Sequence, residues 1–119
     1  MKNINLNEIR DTLQKFADER EWGKYHSPKN LSMALAKESA ELLELFQWKT
    51  DEESYHIEDI SRHREKIEDE VADIALYLIL LSSKLDIDIG SAIENKMIKN
   101  ARKYPVEKAR GNAKKYTDF

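Results

Sequence analysis

Glycine and proline, on which most tight turns between strands depend, are scarce in this sequence. The 119 residues include only three glycines and two prolines. A sheet-rich fold would therefore have few places to reverse the chain, whereas helices need few such residues. Forty per cent of the residues are hydrophobic, which argues against disorder even though 36% are charged. The composition predicts an all-α fold, with residues 1–119 forming a single domain.

Four segments carry apolar residues at the spacing of an amphipathic helix. Asn5, Ser27 and Asp88 precede three of them, and such side chains cap helices by accepting hydrogen bonds from free amides. We expect the four helices to pack as a four-helix bundle, joined by a polar loop at residues 49–61 and followed by an extended basic C-terminal arm at about residues 105–119. The predicted helices are Leu6–Glu21, Pro28–Trp48, Arg62–Leu85 and Ile89–Lys103.

The sequence offers no sign of export or of a membrane span. It has no cysteine, so disulfides, thiolate metal sites and thiol nucleophiles are excluded. Nothing at the N-terminus resembles a signal peptide. The longest apolar run, "IALYLILL" at residues 74–81, is far shorter than the roughly 20 residues that span a bilayer. We therefore expect a cytoplasmic protein with no membrane partner.

The net charge of −3 conceals an uneven distribution of charged residues. Residues 96–119 carry eight basic and two acidic side chains, against 20 and 23 in the whole chain. The acidic remainder would repel a duplex, so we expect no nucleic-acid partner. A small phosphate ligand and a merely solvated tail both remain compatible with this basic end.

Two acidic pairs, one on each of two predicted helices, are the strongest candidates for chemistry. Glu38 and Glu41 are three residues apart, as are Glu70 and Asp73, so each pair shares one helix face. If the two helices pack antiparallel, all four carboxylates converge, and they need a cation to offset their repulsion. An oxygen-only ligand set suits Mg²⁺ or Mn²⁺. Solvated helix edges are the alternative, although apolar residues border both pairs.

Two other classes of protein compete with this interpretation. A di-iron bundle needs Glu-x-x-His pairs on two helices, but the spacing occurs only at Glu53 and His56, inside the predicted loop. A non-catalytic helical regulatory or interaction module would explain the helices and the charge. It would not explain why acidic pairs, tryptophans and a basic end occur together.

The motif E-x-x-E, followed after 28 residues by E-x-x-D, resembles that of the all-α NTP pyrophosphohydrolase superfamily, which includes MazG-like enzymes. The segments "FADEREWGKYHSPKNL", "ELLELFQWK", "DIALYL", "KMIKNARKYP" and "KKYTDF" are similar to its dCTP pyrophosphatase branch. The resemblance extends in register from about Glu8 to the C-terminus, and it implies the all-α bundle of that superfamily.

The resemblance also implies a reaction and a metal site. Members hydrolyse (deoxy)nucleoside triphosphates, here dCTP and modified dCTP analogues, to the monophosphate and pyrophosphate, as nucleotide-pool sanitation. Glu41 is our preferred general base. The implied ligands of Mg²⁺, which Mn²⁺ could replace, and the implied catalytic residues are Glu38, Glu41, Glu70 and Asp73.

A nucleoside pocket and a phosphate site follow from the same resemblance. Packing in an ordinary core is the alternative for Trp48 and Tyr77, and a hydrogen bond that fixes the loop is the alternative for His26. Surface solvation would equally explain several of the lysines. Leu13 departs from the branch, whose animal members carry a histidine facing the pocket, so a different base preference remains open. Ala101 also stands where relatives are often basic. The implied substrate-binding residues are Trp22, His26, Trp48, Tyr77, Lys96, Asn100, Lys103 and Tyr104.

The apolar run at residues 74–81 predicts self-association. It covers more than two helical turns with Tyr77 as its only polar interruption, so this helix is apolar on all sides at that level. A second copy of the chain is the natural cover for such a surface. The resemblance implies dimers that pair, with pockets completed by neighbouring chains. We expect a homotetramer, or failing that a dimer.

Overall fold

The computed structural model describes residues 1–58 and 62–119, and every regular element in these ranges is helical. The prediction of an all-α protein is therefore confirmed. No helix in the described ranges is long and apolar enough to cross a membrane. The helices are α1 (Leu6–Glu19), α2 (Pro28–Glu44), α3 (His63–Lys84), α4 (Ile89–Lys103) and α5 (Val106–Ala109).

Three helices begin at the polar residues that the sequence nominated as caps. The side chains of Asn5, Ser27 and Asp88 accept hydrogen bonds from backbone amides two or three residues on, at 3.0, 3.1 and 3.1 Å. Each bond satisfies an amide that has no partner within its helix. The starts of α1, α2 and α4 are thus confirmed, because they depend on local chemistry alone.

Two helix ends fall earlier than the sequence predicts. α1 ends at Glu19, since Glu21 takes a left-handed conformation with φ of 53°. α2 ends at Glu44, and the amides of Leu45 and Phe46 then donate to carbonyls three residues back. These tighter turns carry the chain away from the α2 axis, so the predicted ends at Glu21 and Trp48 are wrong.

The connection between α2 and α3 contains one short 3₁₀ turn, Glu53–Tyr55. Thr50 and Glu53 fix this turn by exchanging side-chain-to-backbone hydrogen bonds of 3.1 and 3.2 Å. The first of these bonds lowers the pKa of the Glu53 carboxyl below its usual value. Residues 59–61 of the predicted loop lie outside the described ranges. The rest of this connection is polar and short of helix, as expected.

The chain divides into two compact units, residues Met1–Asp86 and Ile87–Phe119. In the first unit α3 packs against both α1 and α2. Its buried apolar residues come from all three helices and are Ala17, Leu31, Ile79 and Leu80. This packing sets the acidic faces of α2 and α3 side by side. The single domain and the four-helix bundle stay predictions.

The second unit consists of α4, the one-turn helix α5 and a 3₁₀ turn at Tyr116–Asp118. Pro105 precedes α5, and Gly111 follows it with φ of 76°, a left-handed conformation that glycine adopts without strain. The sequence indicated an extended segment after residue 105. Local hydrogen bonds instead fold parts of this segment into short turns, so it is not extended throughout.

Candidate functional site

Three carboxylates meet where α2 packs against α3. One side-chain oxygen from each of Glu38, Glu41 and Glu70 lies within 4.8 Å of the other two. Glu38 and Glu41 share a face of α2, since three residues bring a helix almost once around. The contact between the helices then supplies Glu70 from α3. All three side chains are partly buried.

The electrostatics of this cluster favour a cation. Glu38 Oε2 and Glu70 Oε2 are buried and have no hydrogen-bond partner among the described residues. The pKa of the Glu70 carboxyl rises from 4.5 to about 7, chiefly because its protonated form hydrogen-bonds Glu38, and further through desolvation and the charge of Glu41. Such a group needs either a proton or a metal ion to offset repulsion. Oxygen donors fit a hard divalent cation, which this cluster of carboxylates would hold.

Glu41 occupies the more open side of the cluster. Its Oε1 lies 3.7 Å from Lys37 Nζ, one helical turn earlier on α2. Both side chains keep contact with water, so this ion pair contributes little to stability. The Glu41 carboxylate is therefore accessible to solvent at the edge of the cluster.

Asp73, the fourth carboxylate predicted from the sequence, is not one of the three that meet. It lies on α3 three residues after Glu70 and lines a neighbouring cavity instead. The expected convergence of four carboxylates is thus observed for three, because the α2–α3 contact brings only Glu70 within reach of both α2 carboxylates. A metal-binding role for Asp73 stays a prediction.

The cavity beside Asp73 lies between α1, the loop after α1, and α3, and has a volume of about 160 Å³. Its wall is mainly apolar, with Asp73, His26 and Tyr77 as the polar members. Leu13 is part of this apolar wall. The complete lining is Leu13, Phe16, Ala17, Trp22, His26, Asp73, Leu76, Tyr77 and Leu80.

Trp22 is held at the mouth of this cavity by α1. Its backbone amide donates to the Ala17 carbonyl at 2.9 Å, and its ring meets Phe16 edge to face with centroids 5.7 Å apart. The guanidinium of Arg20 covers the Phe16 ring, with Cζ 3.5 Å from the centroid. These contacts orient the indole although it stands in a loop.

His26 brings an unpaired polar atom to the same cavity. Its ring packs edge to face against Trp22, with centroids 6.3 Å apart. Its Nδ1 is buried and lacks a hydrogen-bond partner among the described residues. A buried unpaired nitrogen is costly, so this atom is suited to a hydrogen bond with a bound ligand.

The remaining residues nominated from the sequence are Trp48 and four residues of the second unit. The Trp48 side chain is 89% exposed, because the turns after α2 direct it away from the cavity, and it does not line that cavity. Lys96, Asn100 and Lys103 are on α4, and Tyr104 caps that helix in the second unit. Within its unit, Tyr104 packs its ring against Tyr116 and Phe119.

Sequence reasoning did not nominate four wall residues of the cavity, Phe16, Ala17, Leu76 and Leu80. Each belongs to an apolar stripe or run, and this pattern predicts a core position as readily as a pocket wall. Only the gap left between α1 and α3 distinguishes the two roles.

Comparison with known proteins gives concordant results. A sequence profile described as the MazG-like family matches residues 34–119. The dCTP pyrophosphatase 1 of Bos taurus is 44% identical over 114 residues, which are 96% of this chain and 68% of that protein. The dCTP pyrophosphatase 1 of Homo sapiens is 41% identical over 96% of this chain and 67% of its own length.

A solved structure agrees with these sequence matches. The crystal structure of a pyrophosphatase from Archaeoglobus fulgidus superposes with a TM-score of 0.78 at 40% sequence identity. The match covers 88% of this chain and 96% of the archaeal one. The sequence profile, the two relatives and this superposition lead to one conclusion: the chain belongs to the MazG-like family.

Proposed function

We propose that this protein is a nucleoside triphosphate pyrophosphohydrolase that converts dCTP and water to dCMP and pyrophosphate. The relatives named dCTP pyrophosphatase 1 support both the reaction and the nucleotide. dCTP analogues with C5 substituents would be further substrates, since an apolar wall accommodates an added methyl group. The role that follows is removal of surplus or modified nucleotides from the cytoplasmic pool.

The observation that carries the proposal is the meeting of Glu38, Glu41 and Glu70 within 4.8 Å, with two buried unpaired oxygens. A cluster of this kind at a solvated helix edge would leave its oxygens hydrated. Burial next to a cavity instead makes a bound cation the natural partner of these carboxylates. Mg²⁺ fits best, because it takes a few carboxylates and completes its shell with water and phosphate oxygens.

Bound Mg²⁺ would supply charge neutralisation at the phosphates and a lower pKa for a water molecule. Glu38 and Glu70 would hold the cation, and we propose Asp73, three residues after Glu70 on α3, as a further ligand. Glu41, on the open side of the cluster, would accept the proton of the attacking water at a carboxylate oxygen. Proton transfer at that atom and alignment of the water are what this chain adds to the reaction.

The cavity between α1 and α3 would receive the base. Trp22 offers an aromatic wall, while His26 and Tyr77 offer hydrogen bonds to the polar edge of a pyrimidine. A volume of about 160 Å³ is smaller than the roughly 300 Å³ at which ligand pockets begin. The cavity thus suits a base, and Asn100 is proposed to hydrogen-bond the polar edge of that base. Lys96, Lys103 and Tyr104 are proposed to contact the phosphates.

A second copy of the chain would complete the site. Trp48 is almost fully exposed, and Leu43 on α2 and Val71 on α3 are 58% and 52% exposed. Apolar side chains on the two central helices favour burial against another chain of the same kind. We propose a homotetramer of four-helix subunits, or a dimer, in which Trp48 of one chain closes the base cavity of another.

The test is a substrate screen that measures pyrophosphate and phosphate separately. Purified protein is incubated with each common and C5-substituted NTP and dNTP in Mg²⁺. We expect pyrophosphate and nucleoside monophosphate in equal amounts, with deoxycytidine triphosphates hydrolysed fastest. If nucleotides with another base were hydrolysed fastest, the proposed reaction would stand, and we would attribute the different base preference to Leu13. Release of phosphate alone, or no release from any nucleotide, would contradict the proposal.

A further inference from the structure

The second unit ends in a compact aromatic cluster. The Tyr104 ring meets Tyr116 and Phe119 edge to face, with centroids 6.0 and 5.7 Å apart. Tyr104 caps α4, whereas Tyr116 and Phe119 come more than ten residues later. The last turn of the chain therefore folds back onto the C-terminal end of α4.

A built turn produces this fold-back. Gly111 takes the left-handed conformation, with φ of 76°, and ends α5. Asn112 then ties the two sides of the turn together. Its Nδ2 donates to the Lys108 carbonyl at 3.1 Å, and its Oδ1 accepts from the Lys114 amide at 3.0 Å. The turn between residues 108 and 114 thus reverses the direction of the chain, and this reversal brings the aromatic rings together.

The fold-back places a ring beneath one lysine. The Lys103 ammonium lies 4.8 Å from the centroid of the Tyr116 ring. Its side chain is partly buried, unlike the other lysines of residues 96–119. No described carboxylate pairs with Lys103, nor with any other basic side chain of that segment. Within the described residues, the eight basic side chains of this segment thus outnumber its two acidic ones and form no ion pair.

A ring and a carboxylate hold a lysine in different ways. A carboxylate would neutralise the ammonium and occupy its donors. A ring face attracts the charge and fixes the stem, but it takes up no hydrogen-bond donor. The Lys103 ammonium is therefore positioned while its N–H groups remain available to an anion.

We propose that Tyr116, supported by Phe119, is a positioning residue that holds Lys103 and Tyr104 for the polyphosphate of the substrate. The inference rests on the proposed function for the identity of that anion, a nucleoside triphosphate. The C-terminal turn thereby acts through Lys103 and Tyr104 without itself touching the reacting atoms. Its contribution is to affinity for the phosphates, not to the rate of the chemical step.

The main experiment compares Tyr116→Ala with Tyr116→Phe. Steady-state kinetics on the best nucleotide give KM and kcat, and calorimetry gives Kd for inorganic tripolyphosphate, which has no base or sugar. Loss of the ring should raise KM and the tripolyphosphate Kd about tenfold, the scale of one aromatic pair and one cation–π contact combined. The kcat should stay within about twofold, as expected for uniform binding. The Phe variant, which keeps the ring, should behave as wild type.

Tyr55→Ala is the matched control, because Tyr55 is an exposed tyrosine in a 3₁₀ turn of the first unit. It should leave KM, kcat and tripolyphosphate binding unchanged. Gly111→Ala supplies an independent route to the same effect. A Cβ there meets no atom within 4 Å, so the substitution strains only the backbone that makes the reversal. It should raise KM and the tripolyphosphate Kd in the same direction as Tyr116→Ala.

The outcomes separate this inference from the proposed function. If wild type releases pyrophosphate but Tyr116→Ala lowers only the Tm and leaves both constants unchanged, the C-terminal turn is structural and the inference fails. It also fails if Tyr116→Ala lowers kcat with KM unaltered. If wild type hydrolyses no nucleotide, the proposed function fails. In that case the tripolyphosphate Kd of Tyr116→Ala still supports or overturns the positioning role.

Discussion

Lys49 Nζ lies 2.8 Å from His63 Nε2, and this contact ties the end of the turns after α2 to the first residue of α3. His63 is only 7% exposed and packs edge to face against Phe46. An ammonium can only donate a hydrogen bond, so the imidazole Nε2 is the acceptor in this contact. The relative placement of the two carboxylate-bearing helices depends in part on this bond.

Breaking the Lys49–His63 bond should destabilise the first unit. We expect a coupling of about 1.5 kcal/mol in a cycle of Lys49→Met, His63→Leu and the double variant, the scale of a hydrogen bond to a charged group. Urea unfolding measures the free energies, and Lys66→Met, at an exposed position of α3, is the control. Strictly additive effects of the two substitutions would show that the contact contributes nothing.

Metal dependence follows from the carboxylate cluster. EDTA should abolish turnover, and Mg²⁺ or Mn²⁺ should restore it. Glu41→Gln should cut kcat by about a hundredfold or more, the scale of a misplaced catalytic group, while circular dichroism shows the helices intact. Glu44→Gln, one turn along α2 and exposed, should retain full activity. Near-normal turnover in Glu41→Gln would show that these glutamates only form a solvated helix edge and take no part in catalysis.

The raised pKa of Glu70 predicts how the stability of the metal-free protein varies with pH. Its pKa is about 7 in the folded protein and 4.5 ordinarily, so the folded state binds more protons between these values. This contribution is fully present below pH 4.5 and is lost as the pH rises through 7. In EDTA the Tm should therefore fall from about pH 5 to pH 7.5. Glu70→Gln should flatten this dependence, and a wild-type slope in that variant would contradict the assignment.

The two tryptophans should respond differently to nucleotide. The chain has only two, so Trp22→Phe and Trp48→Phe each leave a single reporter. Trp22 lines the cavity, and its fluorescence should change on binding. Trp48 should respond only at concentrations where the oligomer is intact, because its own chain leaves it exposed. Trp22→Ala should raise KM about tenfold or more, and an unchanged KM for every active nucleotide would exclude contact with the base.

Self-association is testable by light scattering. We expect the mass of four chains of 14.0 kDa each, or of two such chains if the protein is a dimer. Leu43→Lys should lower the mass, since a buried unpaired charge opposes association. The same variant should lose the Trp48 response to nucleotide. A wild-type monomer that stays active at low concentration would rule out both the assembly and the shared cavity.

Local chemistry in the sequence determined the helices and their starts. Asn5, Ser27 and Asp88 cap helices through bonds that span at most three residues, so no tertiary contact is needed to predict them. The spacing of Glu38 and Glu41 likewise fixes their common face on α2. The family relationship was also recoverable, because the acidic motif and its flanking segments occur in register along the chain.

Only the tertiary structure decided which side chains meet. Glu70 rather than Asp73 joins the α2 carboxylates because the packing of α2 on α3 brings only Glu70 close to both of them. Trp48, which the sequence predicted to line the nucleoside pocket, is instead exposed, because the tight turns after Glu44 change the direction of the chain. Tyr116 reaches Tyr104 because Gly111 and Asn112 reverse the backbone between them. Helical periodicity fixes directions around one axis, whereas distances between side chains on different segments depend on packing and on backbone reversals.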